Sequence, residues 1–301
     1  MNIAAILSAI LAALFMGTIG VFSRKTGLDA EVITFFRLLF GAGFLVILLL
    51  VTRRLRLLLV WPTWPVLING LMLAGFIIFY IQAMNLTTMA NSIMVLYLAP
   101  LVATIFAHFF LGERLNGTSI LLISTALFGF AMMMEFRIDF SSGTNHLLGL
   151  GFAGLGMACY ATFILINRTI DSAIHSYTRT FYQLLVGALC MVPLLMRGLP
   201  VITESHWLWL AGVGFFPGFL GILLAVVALE RLPAATYGTL SYLEPIFVVF
   251  LGWILFAEHL NPLQLAGCAL ILASGAVMGY LTARGSGAGS RVHTVPLDAE
   301  H

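Results

Sequence analysis

Glu244 is the residue with the most chemical consequence. It stands near the middle of an apolar run, in Tyr242-Leu-Glu-Pro245-Ile-Phe-Val-Val-Phe250. A carboxylate at the centre of a lipid-crossing helix costs at least ~2.5 kcal/mol, and by default it marks a functional site. It suits a substrate ammonium group or a proton carried across the membrane. The plainer alternative is a protonated acid bonded to a hydroxyl such as that of Tyr242. Tyr80, Tyr97, Tyr160, Tyr237 and Tyr242 also lie well inside apolar runs, away from the ends where aromatic belts gather. Each offers an aromatic wall with one hydroxyl, which suits a half-apolar metabolite; each could equally be core filler. Thr18, Asn69, Gln82, Asn91, Thr162 and Gln183 add polar groups at similar depth. They line the same space or hydrogen-bond between helices.

Other residues read as moving or locking parts. Pro100 and Pro245 each remove a backbone donor in mid-helix, so their helices either pivot around a substrate path or carry a static kink. Gly212, Gly214, Pro217, Gly218 and Gly221 crowd into ten positions, which predicts a hinge, a gate or close packing. Arg37 lies about one turn inside its run. It is expected to snorkel to the interface, or else to pair with Glu258. Glu113 and Glu258 end their helices, where the dipole disfavours a carboxylate. A local Arg or backbone partner must compensate, giving a structural or gate-locking role. His108 reads as a satisfied interface histidine. Gly275 and Gly279 form a GxxxG pattern, expected to serve an intrachain contact rather than a homodimer face.

Several chemistries are absent. No Walker A, HExxH or nucleophile-elbow sequence occurs, so neither ATP hydrolysis nor enzymatic activity is expected. No metal and no cofactor is expected. Gly149-Leu-Gly-Phe-Ala-Gly154 matches a dinucleotide fingerprint by letter, but it opens an apolar helix and not a βαβ unit. Cys159, Cys190 and Cys268 sit singly in apolar runs, without disulfide or zinc spacing. A net charge of +2 without a basic arm gives no hold for nucleic acid.

The elements that must position these residues follow from composition. The 301 residues are 61% hydrophobic and only 9% charged, against about 25% charged in a soluble domain. Mean hydropathy is +1.07. Most of the surface must therefore meet lipid. Ten runs are long enough to cross it: 4–22, 33–51, 65–84, 90–111, 118–136, 147–166, 178–196, 207–229, 234–256 and 263–281. The first has no basic residue before it and reads as a retained helix. The fold class expected is all-α integral membrane, and the stretch 284–301 reads as a disordered tail. With the N-terminus inside, nine of the Lys and Arg residues fall on the inner side and four on the outer. That count, which includes Arg114, Arg197 and Arg291, favours both termini in the cytoplasm.

The chain also repeats itself. Ala90, Tyr97, Leu98, Pro100, Glu113, Leu115 and Asn116 recur 145 positions later as Ala235, Tyr242, Leu243, Pro245, Glu258, Leu260 and Asn261. Thr18 and Arg24 recur 144 positions later as Thr162 and Arg168. Each copy holds five runs, an odd number, so the second is inverted relative to the first. The expected organisation is a repeat over 1–140, an inverted repeat over 141–283, and the tail. Inverted bundles of this kind surround midplane sites in transporters.

On these motifs the chain resembles the EamA family of the drug/metabolite transporter superfamily, over roughly residues 3–282. Within it, the chain is most similar to bacterial amino-acid exporters. The resemblance implies an inner-membrane carrier with a central cavity lined mainly by the first, third, fourth, sixth, eighth and ninth helices. The fifth and tenth support it from outside. The implied activity is secondary-active export of amino acids, aromatic and apolar ones included, by alternating access. Export of drugs or other amphipathic or cationic metabolites is the alternative. The implied partners are a small-molecule substrate and the lipid bilayer, with the protein as monomer or homodimer.

Overall fold

A computed structural model describes residues 2–113, 116–137, 144–196 and 202–289. Among them there are helices and connecting turns, and no strands. The first span is α1 (Asn2–Gly17) and α2 (Ile19–Thr26), broken at Thr18; the second is α3 (Ala30–Val51). Then come α4 (Trp64–Leu86), the broken pair α5 (Met89–Leu96) and α6 (Ala99–Leu111), and α7 (Gly117–Met133). The second half repeats the plan with α8 (Thr144–Thr169) and α9 (Ser176–Leu195). Its eighth span joins α10 (Glu204–Val213) to α11 (Gly221–Arg231) through a π-helical turn, Gly214–Leu220. The ninth is α12 (Ala234–Ser241) and α13 (Leu243–Phe256), and the tenth is α14 (Pro262–Gly289).

Nine of the ten spans among the described residues are long and apolar enough to cross a bilayer. The run at 118–136 forms a shorter helix than its apolar length suggests. The backbone of α7 stops at Met133, and Glu135 and Phe136 turn into positive φ (55° and 50°). Seventeen helical residues reach about 25 Å, against about 30 Å of hydrocarbon. The last helix continues to Gly289, into the stretch read as a tail, while 290–301 lie outside the described residues. Arg114, Leu115, Arg197 and Arg291 also lie outside them.

Local sequence explains the ends. Thr88 caps α5 by accepting from the Asn91 N–H at 3.2 Å. Asn261 and Gln264 cap α14 reciprocally, the Asn261 side chain accepting from the Gln264 N–H and the Gln264 side chain from the Asn261 N–H. α6 and α13 end alike, in left-handed Gly112 (φ 67°) and Ala257 (φ 53°). The next N–H, on Glu113 or Glu258, bonds back six residues to Ala107 or Gly252. Matching glutamates are thereby turned out of their helices at matching points.

Packing exchanges the two copies. α1 lies against α11, α12 and α13, while α8 lies against α4, α5 and α6. The second span packs on the seventh, the fourth on the ninth, and the fifth on the tenth. This is the pattern expected of a twofold relation between halves, with each half's first helix lodged in the other half or at its border. Outward-facing side chains are strongly apolar, with Phe109, Phe110 and Leu208 each about three-quarters exposed. Such a continuous apolar exterior is a lipid-facing surface. Gly275 and Gly279 meet Leu240, Leu243 and Ile6 of the same chain, so the GxxxG face is used internally.

Candidate functional site

The two Tyr-Leu-x-Pro segments form helix breaks that touch each other. Tyr97 ends α5, and Tyr242 separates α12 from α13; Pro100 and Pro245 lie in the first turns that follow. A proline near a helix start loses nothing, because its missing N–H would have no intrahelical partner there. The Tyr242 hydroxyl donates to the backbone carbonyl of Tyr97 at 2.5 Å, and the two rings lie 5.8 Å apart. Phe130 stacks on Tyr97 at 4.4 Å. Tyr242 is 0% exposed, in a core with Phe130 and Ile271. It is a structural pin, neither a partner of Glu244 nor part of a wall.

Glu244 occupies the first turn of α13, where the helix dipole favours a negative charge, and is half-buried. Tyr97 lies within electrostatic range of its carboxylate. Arg37, Tyr80, Tyr160 and Tyr237 lie within its electrostatic range. Tyr160 and Tyr237 also lie within electrostatic range of each other, and Phe76 packs on Tyr160 at 5.1 Å. α1 reaches the same place, since a Cβ on Gly17 would stand 3.0 Å from the Glu244 carbonyl oxygen. Spans from both halves thus supply one carboxylate, one guanidinium and an aromatic wall with hydroxyls.

Arg37 corrects the expectation from sequence. It is 9% exposed and does not snorkel. Its Nε donates to the Pro217 carbonyl at 3.4 Å, and one Nη lies 2.8 Å from the Met16 Sδ. Glu258, the other partner considered, is bound instead to Arg24. The π turn is what brings the Pro217 carbonyl to α3. A Cβ on Gly214 would collide with Phe40, and one on Gly218 with the Arg37 carbonyl. Gly214, Pro217 and Gly218 therefore serve intimate packing against α3, at the kind of π-bulge that recurs at functional sites.

The other polar positions scatter. Thr18 sits at the break in the first span and donates to the Phe15 carbonyl at 2.6 Å. Gln82 and Thr162 follow Tyr80 and Tyr160 by two residues, about 200° around the helix, and so face away from the walls those tyrosines form. Asn91 is 3% exposed in the first turn of α5, beside His146 at 3.5 Å; it belongs to that helix start. Gln183 donates to Asn167 between α9 and α8, and Asn69 is fully buried with neither amide atom hydrogen-bonded among the described residues. Among the described residues no group of His, Cys, Asp or Glu is gathered for a metal.

Two further ion pairs join the halves. Arg168 binds Glu113 at 2.7 Å and donates to the Leu229 carbonyl; the other Glu113 oxygen accepts from the Ala234 N–H at 2.8 Å. Both side chains are 18% exposed. Arg24 binds Glu258 at 2.5 Å, but those side chains are 56% and 46% exposed. These pairs are repeat mates. They supply the Arg and backbone partners expected of the two glutamates, from arginines that recur at nearly the same spacing as the glutamates themselves.

Comparison with known proteins agrees with this duplicated architecture. The model of the EamA-like transporter family matches residues 3–135 and again 147–280. An uncharacterized transporter of Archaeoglobus fulgidus is 29% identical over 267 residues, 88% of this chain and 92% of the relative. The pseudopaline exporter CntI of Pseudomonas aeruginosa is 26% identical over 250 residues, 82% and 85% of the two chains. The aromatic amino acid exporter YddG of Ancylobacter novellus is 28% identical over 242 residues, 74% and 78%. A crystal structure sharing 22% identity superposes with a TM-score of 0.82, covering 93% of this chain and 99% of that one.

Proposed function

The chain belongs to the EamA-like transporter family, and on that premise we propose that it exports amino acids across the bacterial inner membrane by alternating access. The observation that carries this reading is Glu244, a carboxylate walled by Tyr80, Tyr97, Tyr160 and Tyr237 where the two halves meet. The carboxylate meets an ammonium group, and the aromatic rings accept an apolar or aromatic side chain. Without a nucleotide-binding motif, the work comes from existing gradients. The likeness to an exporter of aromatic amino acids supports the substrate class. The likeness to a pseudopaline exporter supports a second reading, other amphipathic metabolites. A purely cationic substrate is disfavoured by Arg37, whose positive charge lies in range of the same carboxylate.

The test is uptake of labelled amino acids into proteoliposomes preloaded with the same unlabelled compound. Trans-stimulated accumulation of several amino acids, large apolar ones included, is the expected result. Glu244→Gln should lower it about tenfold, the effect of losing one charge-assisted contact of ~1.4 kcal/mol. No accumulation by folded, inserted protein would overturn the substrate reading.

A further inference from the structure

We infer that Arg37 receives the carboxylate of the substrate, so that the site selects zwitterions over amines of the same shape. This rests on the reading of Glu244 as the ammonium partner. A guanidinium has five donors and suits a carboxylate bidentately. Here two of its contacts go to a backbone carbonyl and a thioether, the latter a weak acceptor. No carboxylate lies within 4 Å of it among the described residues, and no basic group lies within 4 Å of Glu244. A cation held inside the membrane is costly unless it is paired or used. The two opposite charges are near enough to act on each other without forming a pair. A molecule carrying both charges completes the arrangement: its ammonium meets Glu244, its carboxylate meets Arg37, and its side chain rests on the tyrosines. The Pro217 carbonyl and the Met16 sulfur hold the guanidinium in place, so it needs no reorganisation on binding.

If Arg37 only balanced the charge of Glu244, its removal would weaken every ligand alike. Competition against labelled phenylalanine separates the two roles, with phenylalanine, phenylalaninamide, phenethylamine and 3-phenylpropionate as competitors. The wild type should prefer phenylalanine strongly over the three analogues. Arg37→Gln should cut its preference over phenylalaninamide and phenethylamine by about tenfold or more, since a site built for a polar group rejects analogues lacking it only while its own partner is present. Arg37→Lys, which keeps the charge but not the fork, should fall between. Equal competition by phenylalaninamide in the wild type, which needs no variant, overturns the inference. So does an unchanged preference in Arg37→Gln or Arg37→Lys. A wild type that exchanges no amino acid at all overturns the substrate reading as well.

The helix ends carry a second inference independently. At one end the Glu113–Arg168 pair is clamped onto the start of α12, and Ala234 is 0% exposed. In the other copy Met89, the repeat mate of Ala234 at the start of α5, is 66% exposed, and the mate pair Glu258–Arg24 is open. The geometry points to a pair of alternating latches. In the opposite-facing state Glu258 captures the Met89 N–H while Glu113 releases that of Ala234. Single cysteines at 89 and at 234, in a background lacking the three native ones, report this by maleimide labelling in nanodiscs. Glu113→Gln should raise labelling of Ala234→Cys and lower that of Met89→Cys, and Arg168→Gln should do the same. Unchanged labelling, or a rise at both positions, overturns the proposal.

Discussion

Tyr97 and Tyr242 occupy equivalent places in the two copies yet carry different duties. Tyr242 gives its hydroxyl to the Tyr97 carbonyl, at the point where both broken helices meet. Tyr97 keeps its hydroxyl within range of Glu244 while its ring stays stacked on Phe130. Tyr242→Phe should therefore cost about 1 kcal/mol, the scale of a hydrogen bond between membrane helices, and lower the melting temperature in detergent. Tyr97→Phe should leave the melting temperature nearly unchanged and lower amino-acid exchange. Equal losses of stability in both variants would contradict this division. Proximity in sequence misleads at this scale. Tyr242 stands two positions from Glu244, but neighbours at that interval point to opposite sides of a helix. The residues that do gather around Glu244 come from Arg37, Tyr80, Tyr97, Tyr160 and Tyr237, which only tertiary packing brings together.

Among the elements, the eighth span departs furthest from a regular helix. The π turn lets α3 pack so closely that the obstacle to a side chain on Gly218 is the Arg37 backbone itself. Gly218→Ala should thus destabilise by about 1–3 kcal/mol, the usual cost of overpacking, and disturb Arg37. Gly151→Ala, with nothing near its would-be Cβ, should be neutral or slightly stabilising. Thermal unfolding of the two variants side by side checks both. The glycines and Pro217 marked this span in the sequence as special, but a cluster of small residues cannot say whether it hinges or packs. The spans themselves were legible because twenty apolar residues have one use. The breaks were legible only near prolines: Pro100 and Pro245 announce them within three residues, whereas the break at Thr18 has no proline. Thr88, which caps α5 through the Asn91 backbone N–H, gave no sign in the sequence that a helix starts there.

For the whole molecule, duplication governs what can be expected. Five spans per copy place the two copies in opposite orientation, and we propose from the Lys and Arg counts that the loop at 53–56 faces inside and residue 137 outside. Alkaline phosphatase fused after residue 137 should be active, and fused after residue 56 inactive; the reverse pattern would invert the assignment. The repeat was readable from Tyr, Pro, Glu and Asn at constant spacing, since such residues seldom recur by chance in apolar helices. The difference between the copies was not readable, because one latch is closed and the other open only in a particular conformation. One flank of the molecule also bears on the membrane itself. α7 is several ångströms shorter than the hydrocarbon it must cross, and it packs against the far longer α14. Lipids along that flank must thin, or the helix pair must tilt, at a cost that grows with acyl-chain length. That flank therefore couples the carrier to bilayer thickness, and longer-chain lipids will load it like a spring.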